Sequence, residues 1–132
     1  MSLDSAAAPP AEDIPVQAKI EAAMDTFHEG DRWEAILLFS SEGLPLASHG
    51  AIGAYGEEDL MQFAFSLIGA VRLLGESVPT KEIVLTGREG HLLSFHYFSA
   101  WGEEVVLAVV ATKKRGYRRA VARLIQFIQG IP

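Results

Sequence analysis

The side chains with chemistry to offer in this chain are four histidines, a run of three acids, one helical serine, a glycine-rich loop and a basic cluster near the C-terminal end. The histidines are His28, His49, His91 and His96. No two form a His-x-x-x-His pair that would share a helix face, and the chain has no cysteine, which excludes thiolate zinc sites and disulfides. His91 and His96 are an odd number of positions apart, so one strand carrying both turns them to opposite sides. All four read as surface or loop residues rather than ligands. Ser66 lacks the Gly-x-Ser-x-Gly setting of a hydrolase nucleophile. The loop Gly50-Ala51-Ile52-Gly53-Ala54-Tyr55-Gly56 has the glycines of a phosphate loop but not its Gly-Lys-Ser/Thr ending. It leads into Glu57-Glu58-Asp59, and acids at a helix N-terminus repel the phosphate such a loop must attract. The loop therefore reads as a connector, and the acids as partners of the helix dipole rather than an acid–base pair. No catalytic, cofactor-binding or metal-ligating residue emerges, and a non-enzymatic protein without cofactor is expected.

The basic cluster is less easily dismissed. Six of the eleven basic residues fall within Lys113–Arg123, while every Asp and Glu lies at or before Glu104. Arg115, Arg118, Arg119 and Arg123 share one face of a helix, opposite an apolar stripe of Tyr117, Val121, Leu124, Ile125 and Ile128. This face is either simply solvated or a docking site for an acidic partner or a membrane surface. A net charge of -6 and the lack of aromatics among the basic residues weigh against nucleic acid.

The elements that must position these residues follow from periodicity. Residues 1–13 are Ala, Pro and acid without a repeat, and read as a disordered tail; residues 14–132 read as one domain. Pro15 suits a first helical turn, and Val16, Ile20, Ala23, Met24 and Phe27 recur at helical spacing up to a stop by Gly30. Ala35–Phe39 is a continuous apolar strand, Ser41-Glu42-Gly43 a turn, and Leu44–Ser48 the return strand. A second helix follows over Asp59–Leu74, with a core stripe of Leu60, Phe63, Ala64, Leu67, Val71 and Leu74. Three strands come next, Glu82–Thr86, His91–Phe98 and Glu104–Thr112, then a last helix from near Gly116. The runs at Ala35–Phe39 and Val105–Ala111 have no polar residue on either face, so the sheet must be covered on both sides. The expected architecture is three-layer α/β/α around a five-stranded, mostly antiparallel sheet, in the order α-β-β-α-β-β-β-α. No apolar stretch approaches the roughly 20 residues of a membrane span. The first residues carry neither the charge nor the apolar core of a signal peptide, so a cytoplasmic location without integral membrane contact is expected.

The second helix carries more apolar surface than one sheet face needs. Met61, Phe65 and Ile68, with Arg72 a turn beyond, form a flank roughly 100° from the core stripe by the helical period of about 3.6 residues. Either the first helix or a loop covers this flank, or the same helix of a second subunit does, since a two-fold axis brings identical patches together. Glu82, Ile83, Val84, Leu85 and Thr86 form a short candidate edge strand whose backbone groups would be satisfied by pairing with its own copy.

The sequence thus resembles the roadblock family, named for the dynein light chain roadblock. The likeness runs from about Trp33 to Ile128 through the strand–turn–strand ending Ser41-Glu42-Gly43-Leu44-Pro45-Leu46-Ala47-Ser48, the helix Asp59–Leu74, the segment Glu82-Ile83-Val84-Leu85-Thr86-Gly87, the apolar strand Val105–Ala111 and a basic amphipathic helix. The first helix and the isolated domain are similar to the branch containing bacterial gliding-motility regulators. The resemblance implies a profilin-like three-layer domain that homodimerises through the middle helix and the strand after it. It also implies a non-catalytic scaffold that binds a Ras-like small GTPase and promotes hydrolysis or exchange on that partner. No catalytic arginine is implied. The alternative from the residues alone is a PAS- or GAF-like domain sensing a small molecule, which needs a cavity between helix and sheet.

Overall fold

The computed structural model describes residues 15–28, 34–50, 56–73, 81–87, 92–111 and 117–132. The expected tail, most of the glycine-rich connector, His91, Lys113, Lys114 and Arg115 lie outside these residues, as do the side chains of His28 and Arg72. Eight elements appear in the expected order: α1 (Val16–His28), β1 (Ala35–Ser40), β2 (Pro45–Gly50), α2 (Glu57–Arg72), β3 (Glu82–Thr86), β4 (Leu92–Ala100), β5 (Glu103–Ala111) and α3 (Tyr117–Gln129).

The strands form one five-stranded sheet in the order β2-β1-β5-β4-β3. Every pairing is antiparallel. The two unbroken apolar runs, β1 and β5, are the central pair, where both faces are covered, so neither strand needs to alternate. Side-chain alternation divides the core in two. Ile36, Leu38, Val105, Leu107 and Val109 point to the side where α1 and α3 pack through Ile20, Met24, Val121, Leu124 and Ile128. Leu37, Phe39, Phe95, Val106 and Ala108 point to the side covered by α2 through Leu60, Met61 and Ala64. Fully burying each of these larger side chains is worth about 1.5–3 kcal/mol.

Two turns have specific causes. At the β1–β2 turn the Ser40 hydroxyl accepts from the N–H groups of Glu42 and Leu44 (3.2 and 3.1 Å), and the register slips at Leu38/Phe39, so that β2 starts at Pro45. The two-residue turn between Ala100 and Glu103 holds Trp101 at φ 55 and Gly102 at φ 74. A left-handed tryptophan costs about 1–2 kcal/mol. Its indole Nε1–H donates to the Ile131 carbonyl (3.0 Å), which ties the hairpin to the end of α3 and offsets the cost.

The phase of α2 differs from the expected one. Met61 is only 7% exposed and sits in the protomer's own core, whereas Phe63, expected inside, is 42% exposed. Phe65 turns inward to meet Phe39 edge-on (centroids 5.7 Å apart), and Ile68 is half-buried.

Candidate functional site

Three features have chemistry or surface to offer. The first is a polar cluster inside the α3 layer. The register sets Glu82 opposite His96 and Ser94 opposite Val84, so the β3–β4 pairing brings Glu82, Ser94 and His96 to the face beneath α3. Ser94 Oγ lies 2.9 Å from His96 Nε2, and His96 Nδ1 lies 3.7 Å from Glu82 Oε2. Arg118 of α3 donates to the other Glu82 oxygen at 2.6 Å. The carboxylate beside Nδ1 favours the neutral tautomer protonated there, leaving Nε2 to accept from the serine hydroxyl. The order serine–histidine–acid is that of a hydrolase triad, but a nucleophile must reach substrate, and Ser94 is 0% exposed. Burial pulls the His96 pKa down to about 4, with Arg118 adding to the drop and Glu82 opposing it. The buried His96 ring is therefore neutral and hydrogen-bonded to Ser94, beside the Glu82–Arg118 ion pair. This corrects the surface-or-loop reading of His96, which is buried. His49, on β2, bonds Asp25 at 3.0 Å. Among the described residues no group of three His, Cys, Asp or Glu side chains is placed to hold a metal ion.

The second feature is the α2 face together with the β3 edge. On its buried side α2 rests on β1, β5 and β4, and the Tyr97 hydroxyl donates to the Ala64 carbonyl (3.0 Å). Burial raises the Tyr97 pKa to about 12, so the donor stays protonated. Phe39, Leu60, Ala64, Phe65 and Phe95 pack together between α2 and the sheet. The outer side of α2 shows Gln62, Phe63, Ser66, Gly69 and Ala70, and Leu73 follows at 88% exposure. Phe63 meets Phe95 edge-on (5.9 Å), and Phe95 is the cross-strand neighbour of Ile83. Since Phe65 leans toward β1 on the opposite flank, Phe63 faces the β3 side of the helix. There β3 is the sheet edge, with Ile83 and Leu85 half-buried on the α2 face. Val84 packs toward α3, and Thr86 is exposed.

Exposed Phe63 and Leu73, small residues between them that allow close helix approach, and an apolar strand edge thus form one surface. Of the residues the sequence reading set at the interface, Met61 is buried in the protomer's own core, Phe65 packs against that core, Ile68 is half-buried, and β3 lies at the sheet edge. The sequence signal for this exposed face is the small-residue spacing Ser66, Gly69, Ala70.

The third feature is α3, whose exposed side carries Arg118, Arg119, Arg123 and the partly exposed Phe127. Arg118 bonds Glu82 yet stays exposed, and with Arg119 and Arg123 it forms the described part of this basic face.

No family model matches the chain, and no curated protein matches it by sequence. Solved structures do share its fold. MglB of Myxococcus xanthus aligns with a TM-score of 0.67 at 18% identity, over 84% of this chain and 92% of that one. The gliding protein MglB from Thermus thermophilus aligns at 0.67 and 17%, over 92% and 91%. A roadblock/LC7 domain from Streptomyces avermitilis aligns at 0.65 and 18%, over 83% and 93%. The fold is the roadblock fold, and MglB structures are among its examples.

Proposed function

We propose that this protein is a non-catalytic homodimeric scaffold that binds a Ras-like small GTPase and alters nucleotide hydrolysis or exchange on that partner. One observation carries the reading: a sheet edge at β3 whose apolar Ile83 and Leu85 adjoin an α2 face bearing exposed Phe63 and Leu73. Exposed apolar surface of this kind marks an interface. A two-fold axis beside β3 would pair the edge strands, extend the sheet across both protomers and bury both α2 faces. The likeness to MglB supports a role in signalling of the kind that controls gliding, and the resemblance to the roadblock family supplies the GTPase as the partner. Nucleotide and magnesium would sit on the partner, whose switch loops the scaffold biases. Among the described residues no helix is long and apolar enough to cross a membrane.

The test has two parts. Light scattering after gel filtration should give twice the chain mass of 14.3 kDa. Addition of the dimer to its cognate GTPase should change the rate of GTP turnover or nucleotide release. A monomer at all concentrations would remove the dimer, and no binding and no rate change with the cognate GTPase would remove the function.

A further inference from the structure

The two sheet edges are treated differently by their own chain. β2 is the edge opposite β3, and helix α1 lies along it. Glu21 of α1 reaches the strand and accepts the backbone N–H of Ser48 at 2.9 Å. A β2 amide that bonds a helix side chain is turned away from β1, so this is an outward group of the edge, the kind an incoming strand must use. One turn further along α1, Asp25 holds the His49 side chain at 3.0 Å. At the other end of β2, Pro45 has no N–H to offer. Glu21 and Asp25 stand at i and i+4, so α1 sets two carboxylates against the strand, and a carboxylate there repels the carbonyl oxygens of an approaching backbone. At β3, among the described residues, no side chain accepts a backbone N–H of the strand.

We infer that Glu21 is an edge guard: it closes β2 to strand addition by a second copy of this chain, and so confines edge-to-edge assembly to β3. The inference rests on the proposed association through β3 for its consequence, but the guard itself does not need it. With the guard removed, β2 of one copy would pair antiparallel with β2 of another about a two-fold axis. If β3 is already paired, each unit then has two sticky ends and assembly becomes open-ended.

The experiment is light scattering after gel filtration over a wide concentration range, on the full chain and three variants. Glu21→Ala should add species larger than those of the unmodified protein, growing with concentration. Glu21→Gln keeps an oxygen that can accept the Ser48 N–H and should stay at the unmodified mass. Adding Ser48→Pro to Glu21→Ala removes the N–H a neighbouring strand would use and should return the mass to that of the unmodified protein. An unchanged mass for a folded Glu21→Ala overturns the guard, as does growth that survives Ser48→Pro. If Glu21→Ala does not fold, amide hydrogen exchange on the unmodified protein decides: Ser48 should be protected, and exchange at the open-chain rate overturns the proposal. A monomeric unmodified protein whose Glu21→Ala variant forms dimers would sustain the guard while removing the proposed β3 dimer, so the two readings fail separately.

Discussion

His96 shows what a buried polar residue does to the pH dependence of a fold. The residue is 5% exposed, with a pKa lowered from 6.5 to about 4, chiefly by burial. The unfolded chain therefore binds a proton between pH 6.5 and 4 that the folded chain does not, so stability rises with pH across that window and is lost as pH falls through it. The contribution at stake is about 3 kcal/mol, since each pKa unit is worth about 1.4 kcal/mol. Urea unfolding at about pH 7 and about pH 4.5, on either side of most of that window, should show a loss of stability on acidification that is clearly smaller in His96→Gln, which keeps a polar partner for Ser94 but does not titrate. Equal losses in both proteins would mean His96 is not held neutral. The sequence could not reveal this cluster: its members belong to two strands and a helix, and only the β3–β4 register puts Glu82 opposite His96. Arg118 also bonds Glu82. Arg118→Glu would place a second carboxylate against Glu82 beside the edge strand, so it is not a neutral probe of the basic face.

At the scale of elements, the type and chain order of the elements were legible because their signals are local: unbroken apolar runs for β1 and β5, helical spacing for α1 and α3. The phase of α2 was not, because Leu60, Met61, Phe63, Ala64, Phe65, Leu67 and Ile68 put apolar groups almost all round the helix. Which of them face inward was settled by the shape of the sheet, where Phe39 and Phe95 receive Phe65 and Phe63 edge-on from opposite flanks. Two substitutions separate fold from interface. Phe65→Glu buries a charge against Phe39 and should cost the protomer at least about 3 kcal/mol, read as a lowered urea midpoint. Phe63→Glu changes a half-exposed site and should cost the protomer about 1 kcal/mol. In the dimer, however, it buries an unpaired carboxylate, raising the dissociation constant at least about 100-fold, equivalent to about 2.8 kcal/mol. A Phe63→Glu protein that keeps the mass of the unmodified protein at micromolar concentration would place the interface elsewhere.

The molecule as a whole is asymmetric in two directions, and the asymmetries bear on different contacts. Along the sheet, Glu21 of α1 bonds a backbone amide of the β2 edge, while among the described residues no side chain does so at β3, and the proposed self-association uses β3. Across the sheet, α2 occupies one face and α1 with α3 the other. A two-fold axis at β3 keeps the sheet continuous, so both copies of α2 come to one side of the dimer and both copies of α3 to the other. The two helices α2 and α3 carry opposite charges: exposed Glu58 and Asp59 open α2, and exposed Arg119 and Arg123 line α3. In the proposed dimer we place the GTPase on the acidic and apolar surface around the two α2 helices, which leaves the α3 side for a different contact or for solvent. Paired charge reversals test this division. Glu58→Lys with Asp59→Lys opposes the helix dipole by only a few tenths of a kcal/mol per charge, so the fold and the dimer should persist. Affinity for the cognate GTPase should fall at least about tenfold, or about 1.4 kcal/mol, and the loss should shrink at high salt, where surface charges are screened. Arg119→Glu with Arg123→Glu should leave both dimer mass and GTPase affinity unchanged. If the arginine pair abolishes binding and the acidic pair does not, the partner sits on α3, and the basic helix is the docking surface of the scaffold.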